Sequence, residues 1–116
     1  MIFLGQVKLL KDSLSDGEKK RFEMPDEDLT VAHWEGKYFA YESKCPHRKG
    51  PIFMGRLKAG ACITCPSHKI TFSLETGEII HNPIPESMKD YHDSGNLRIF
   101  SVLEDKEEIT VNYWFY

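Results

Sequence analysis

Apolar positions along this chain fall in short runs rich in β-branched and aromatic residues, broken by Gly, Pro and charged segments. Ile2 to Leu10 predicts a first strand and Arg21 to Met24 a short second one, with a polar, Gly-containing stretch from Asp12 to Lys20 between them. Pro25-Asp26-Glu27-Asp28 is a turn signal. Leu29 to Trp34 and Tyr38 to Tyr41 predict the clearest hairpin, joined across Glu35-Gly36-Lys37. From Ser43 to Gly60 the chain carries Pro46, Gly50, Pro51, Gly55 and Gly60, which argues against a long helix. Ala61 to Thr64 and Ile70 to Leu74 predict short strands, followed by a turn at Glu75-Thr76-Gly77-Glu78 and a further apolar pair, Ile79-Ile80. A second loop, His81 to Asn96, leaves room only for a helical turn or two at Glu86 to Tyr91. A closing hairpin follows, Leu97 to Leu103 and Glu108 to Tyr116, turning at Glu104-Asp105-Lys106. The class is all-β with one loop-rich insertion, and no internal repeat or low-complexity tract interrupts it.

The length, 116 residues, suits one domain. Hydrophobic residues at 41% and charged residues at 28% fit a globular chain and exclude wholesale disorder. With 15 basic against 18 acidic residues the formal charge is −3, so nucleic acid is not an expected partner. The N-terminal Met1-Ile2-Phe3-Leu4-Gly5 has no basic flank and is soon cut by Gln6 and Lys8, and no apolar run approaches the roughly 20 residues of a membrane span. A reducing cytoplasmic setting is expected. Three cysteines cannot all pair with one another, which disfavours a disulfide scaffold and leaves three thiols and five histidines to explain.

Four of those residues form a pattern. Cys45-Pro46-His47 and Cys65-Pro66-Ser67-His68 give C-x-H, a 17-residue gap from Arg48 to Thr64, then C-x-x-H. Both pairs sit in or beside loops, where the backbone can fold two side chains back toward one point. Two thiolates and two imidazoles satisfy one tetrahedral zinc, or hold a [2Fe–2S] cluster with both cysteines on one iron and both histidines on the other. The blandest alternative is four unrelated core or surface residues. A common zinc finger segregates its Cys pair from its His pair. Here each arm carries one of each, which suits a binuclear centre whose two irons need different ligands.

The segments Cys45-Pro46-His47-Arg48-Lys49-Gly50-Pro51-Ile52 and Cys65-Pro66-Ser67-His68, followed by Phe72-Ser73-Leu74-Glu75-Thr76-Gly77-Glu78, resemble the two cluster-binding loops of soluble Rieske-type ferredoxins. The close match spans about forty residues, and the flanking strand pattern extends it over most of the chain. The resemblance implies a single Rieske domain over residues 1–116. Its base of antiparallel sheets would be formed by 1–42 and 84–116, with a cluster-binding subdomain inserted at 43–83. It also implies one [2Fe–2S] cluster, with Cys45 and Cys65 on the buried iron and His47 and His68 on the outer one. The implied activity is electron transfer rather than catalysis, from a reductase to a terminal oxygenase or another redox enzyme, by a carrier that is monomeric when free. The chain is too short to hold the mononuclear-iron domain of an oxygenase as well. Two other roles use the same ligands: a small Rieske-like subunit of a nitrite-reductase-type complex, and a zinc-stabilised structural module.

Two positions depart from the family pattern: Lys69 stands where Gly is usual after the second histidine, and Ser73 replaces the usual Asp. Neither loop has the extra cysteine of high-potential Rieske proteins, and Ile70 and Phe72 stand where those proteins carry hydroxyls that donate toward the cluster. A potential in the lower part of the Rieske range, about −150 to +300 mV, is therefore expected. Between Glu42 and Glu75 lie no acids but Lys44, Arg48, Lys49, Arg56, Lys58 and Lys69, a +6 segment against a remainder of −9. A basic tip on an acidic body would favour an acidic partner. Cys62 is expected to be a small core residue, and His33, His81 and His92 to be bystanders. Pro83 and Pro85 mark a candidate loop covering the cluster, and the aromatic tail Tyr113 to Tyr116 is expected to pack a terminal strand.

Overall fold

The computed structural model describes residues 2–24, 27–44, 50–66, 69–83 and 95–115. Within them the strands are β1 (Ile2–Leu10), β2 (Lys19–Glu23), β3 (Asp28–Trp34), β4 (Lys37–Glu42), β5 (Arg56–Lys58), β6 (Cys62–Thr64), β7 (Thr71–Ser73), β8 (Ile79–His81), β9 (Ile99–Glu104) and β10 (Glu108–Phe115). A six-stranded sheet has the order β1-β10-β9-β4-β3-β2, and a four-stranded sheet the order β5-β6-β7-β8. Every pairing is antiparallel. The smaller sheet is inserted between β4 and β9 of the larger, as the all-β expectation with a central insertion required.

Two strands decide the architecture because both of their faces are buried. Cross-strand partners in an antiparallel pair share a face. Val31 opposite Ala40 points into one core with Leu29, Val7, Leu9, Phe100, Ile109 and Val111. Ala32 opposite Phe39, with Tyr41 two residues on, points into a second core with Ile52, Ile63, Cys65, Ile70, Phe72 and Leu74. Strands β3 and β4 are thus a wall between a base core and the core of the small sheet. The base core draws on both ends of its sheet: Val7 and Leu9 of β1 pair with Val111 and Ile109 of β10 and meet Leu29 and Val31 of β3 there.

The β3–β4 turn is tighter than the expected three-residue loop. Trp34 pairs with Lys37, leaving Glu35 and Gly36 as a two-residue turn with φ of 53° and 78°. Both values are positive, as a type I′ hairpin turn demands, and its twist matches that of the strands. The turn also grips the small sheet. One Glu35 carboxylate oxygen accepts the N–H groups of Gly60 and Ala61, each at 3.0 Å, and Trp34 Nε1 donates to the Lys58 carbonyl at 2.8 Å. On the far side of the small sheet, Gly77 (φ +82°) receives the Leu97 N–H at 2.7 Å, and a Cβ there would lie 2.0 Å from the Leu97 oxygen.

Three details depart from the sequence reading. Strand β5 was not expected, because Arg56-Leu57-Lys58 has one apolar residue; pairing with β6 makes it a strand. Short 3₁₀ turns occur at Lys11–Ser13 and Ile52–Met54. Strand β7 is shorter than expected, with Ile70 and Leu74 fully buried on its flanks. The helical turn expected at Glu86 to Tyr91 lies outside the described residues. No helix among the described residues is long and apolar enough to cross a membrane.

Candidate metal centre

Of the four ligand candidates, Cys65 is described. It follows β6 directly, is fully buried, and belongs to the small-sheet core. Cys45, His47 and His68 lie outside the described residues, as does His92. Among the described residues no group of three or more Cys, His, Asp or Glu stands close enough to hold a metal. What is described is the framework on which the two segments that carry the ligand candidates are mounted.

The second segment springs from a closed base. The Cys65 N–H donates to the Ile70 carbonyl at 2.9 Å, and the Cys65 carbonyl accepts the Lys69 N–H at 3.0 Å. Just below, the Thr64 and Thr71 hydroxyls meet at 2.8 Å, which ties β6 to β7 on their other face. Lys69 adopts φ +62°, the left-handed region in which a Cβ crowds the following carbonyl. The usual Gly at this position thus has a backbone cause, and Lys69 keeps the conformation under strain.

The first segment is anchored at both ends. Ser43, fully buried, donates its N–H to the Asp28 carbonyl at 3.0 Å and shares a 2.8 Å hydroxyl contact with Thr30. Its carbonyl accepts the Phe53 N–H at 3.1 Å, so residues on either side of the segment are joined. Beyond it, Ile52 is buried in the small-sheet core, and Gly55 packs so tightly that a Cβ would lie 2.5 Å from the Thr64 oxygen. That contact places the Ile52–Met54 turn directly against the strand that leads into Cys65. The base sheet reinforces it: the Lys19 ammonium donates to the Gly55 carbonyl, and the Arg21 guanidinium lies 4.1 Å from the Phe53 ring centre. Burial lowers the pKa of Lys19. Arg21 also grips Asp28 with Nε–Oδ1 at 3.0 Å and Nη2–Oδ2 at 2.6 Å, a two-point contact. The hydrogen bond from Arg21 is the main reason the Asp28 carboxyl titrates below the usual carboxylate range, helped by Ser43.

The chemistry of this framework fits an iron–sulfur centre. Cys65 offers a soft sulfur donor in an apolar core, and iron bound there would supply the positive charge that the ligating sulfur requires. The same core contains Tyr41, fully buried, whose hydroxyl has no hydrogen-bond partner among the described residues and whose pKa burial pushes far above the ordinary phenol value.

Cys62 and Cys65 are three residues apart around one strand and face opposite ways. Cys62 is half-buried, with its sulfur 3.4 Å from the Gly60 carbonyl in the β5–β6 turn, so it is not a full core residue. His33 has a structural role: its ring stacks on Tyr38 at 4.1 Å, and Nδ1 donates to the Leu14 carbonyl at 2.9 Å. His81 ends β8 with its side chain exposed. The anchors Ser43, Glu35 and Lys19 were missed by the sequence reading, since a lone Ser, Glu or Lys carries no local signal of the backbone it will meet.

Against known proteins, a family model described as the Rieske [2Fe–2S] domain matches residues 6–92. The ferredoxin subunit of 3-phenylpropionate/cinnamic acid dioxygenase from Photorhabdus laumondii is 31% identical over 80 residues, covering 69% of this chain and 75% of that protein. The ferredoxin component of the alkene monooxygenase system from Xanthobacter autotrophicus is 31% identical over 70 residues, covering 60% of this chain and 57% of that protein. Among solved structures, the ferredoxin of carbazole 1,9a-dioxygenase from Nocardioides aromaticivorans superposes with a TM-score of 0.71 at 23% identity, covering 96% of this chain and 97% of that one.

Proposed function

The chain belongs to the Rieske [2Fe–2S] domain family, and from that membership we propose that it is a ferredoxin, carrying single electrons from a reductase to a terminal oxygenase or another redox enzyme. The bound cluster supplies a one-electron couple. No bond is made or broken in the exchange: one electron is given by the reductase and one is taken by the acceptor. Cys45 and Cys65 are the proposed ligands of one iron, and His47 and His68 of the other, within a cluster-binding unit at residues 43–83. The observation that carries this assignment is the setting of Cys65. It is a fully buried sulfur at the closed base of a C-x-x-H segment, in the core shared with the anchored first segment.

The chain's own residues then divide the work. Ser43, Gly55, Arg21 and Lys19 hold the first segment to the base, and the Cys65–Ile70 closure holds the second. Ile70 and Phe72, both fully buried, offer no side-chain donor to the cluster. Without such donors the reduced form is less stabilised, and the potential belongs in the lower part of the Rieske range. The ferredoxin components among its relatives support a partnership with an oxygenase, and a cytoplasmic, monomeric carrier suits that role.

Purification settles the metal. Two irons per chain with the red-brown absorption of an iron–sulfur protein, both lost in Cys65→Ser, are expected. A colourless protein holding one zinc overturns the proposal, and a potential above about +200 mV overturns its low-potential part.

A further inference from the structure

Strand β5 carries Arg56 and Lys58 two residues apart, so both side chains leave one face of the small sheet while Leu57 between them packs against the core. They line an open groove of about 430 Å³ together with Met54, Thr64, Pro66 and Lys69. Arg56, Lys58 and Lys69 are all exposed. Among the described residues no acid lines the groove, and none pairs with any of the three cations. One wall, Pro66 and Lys69, belongs to the loop that carries Cys65 and His68. A cationic groove is therefore lined in part by the loop that carries two of the proposed cluster ligands.

Lys69 is the telling member. Its φ of +62° is one that glycine takes freely and that strains any side chain. Strain retained at one position is a pointer to function when that residue's side chain has something to do there. Here the strained residue adds a third cation to the groove that Arg56 and Lys58 line. Met54, 66% exposed in the same groove, adds the apolar contact that protein interfaces favour near charged rims.

We propose that this groove is the docking site for an acidic face of the redox partner, with Lys69 as its specificity-determining contact. The proposal rests on the electron-carrier role above and names the chemistry of the partner. Charge complementarity selects the occupant. A basic partner is repelled by the groove and drawn to the −9 remainder of the chain, whereas an acidic one is oriented groove-first, with the ligand loops toward it.

Fluorescein-labelled hexaglutamate and hexalysine, titrated against the iron-loaded protein at low ionic strength and followed by anisotropy, test this directly. Hexaglutamate is expected to bind and to be released by salt. Arg56→Gln, Lys58→Gln and Lys69→Gln should each weaken it by about three- to fivefold, the scale of one exposed charge pair, while Lys69→Arg keeps it. Lys69→Gly should weaken binding equally while melting at a higher temperature than the parent, a split that a merely structural lysine would not produce. Ferricyanide should oxidise the reduced protein at a rate that falls with salt and falls again in these variants, whereas cobalt(III) hexaammine should not. Hexaglutamate that does not bind, or whose binding is unchanged in the glutamine variants, overturns the docking site; hexalysine bound by the acidic remainder should be indifferent to those same variants. Visible absorption read on the same samples keeps the outcomes apart. A colourless protein sinks the electron-carrier role, and failed binding by a coloured one sinks only the groove.

Discussion

The two sheets of this protein solve the same problem with very different means. The base uses strands of up to nine residues and pairs β1 with β10 across nearly the whole chain. It fills its core from alternate positions along those strands. The small sheet is made of four three-residue strands joined by consecutive hairpins. Strands so short cannot enclose a core alone, and part of theirs is provided by Ala32, Phe39 and Tyr41 on the outer face of β3 and β4. The base is built to be stable, and the small sheet to hold loops in place while borrowing that stability. The lesson is that a binding unit can be small if one wall of its core belongs to its neighbour.

That division can be broken at the seam. Gly77→Ala introduces a Cβ 2.0 Å from the Leu97 oxygen at a φ of +82°, so clash and strain add. A loss of about 3–5 kcal/mol is expected, read by chemical denaturation. A smaller pair of changes sharpens the contrast. Ile63→Ala and Ile109→Ala both empty a fully buried site, each at roughly 3 kcal/mol. Hydrogen exchange should rise mainly within residues 52–81 for the first and across the whole protein for the second. Equal, global exchange in both would mean that the two sheets unfold as one unit.

Smaller again is Glu35→Ala, which removes the carboxylate that accepts from Gly60 and Ala61. A loss of about 1 kcal/mol, with faster exchange at those two amides, is expected. The smallest effect is tied to pH. Because the Asp28 pKa is lowered in the folded protein, its link to Arg21 stabilises above the ordinary carboxylate value, and that stability is lost as pH falls through the folded one. Asp28→Asn should therefore melt below the parent at neutral pH, the gap closing below about pH 4. A gap that persists in acid would assign the effect to packing instead.

Long strands were legible in the sequence because their apolar residues repeat many times. Ile2–Leu10 is found with the expected bounds, and the closing hairpin nearly so. Arg56-Leu57-Lys58 was not legible, since one apolar residue makes no pattern and the strand exists only through its partner. The site divides in the same way. The C-x-H and C-x-x-H spacing and the Thr76-Gly77 turn stand out in the chain, because the proposed ligands and the turn glycine answer to local chemistry. Ser43 is demanded by the Thr30 hydroxyl, and Glu35 and Lys19 by backbone groups as many as 36 positions away, as for Lys19 and Gly55, which no local window contains. The family's Gly after the second histidine sits between these cases. Its replacement by Lys69 was visible in the sequence, and the reason it matters, a positive φ, was not.

The pairing of Ile2 with Phe115 has a temporal consequence. A ribosome adding about 5–20 residues per second presents β1 several seconds or more before β10 exists. During that interval the first strand waits as an open edge whose apolar side chains Val7 and Leu9 have no complete core to enter. The hairpins of the small sheet are synthesised within the same interval and close over short spans. The order of assembly is thus set by contact distance along the chain: the hairpins of the small sheet can form first, and the base that steadies them is sealed last.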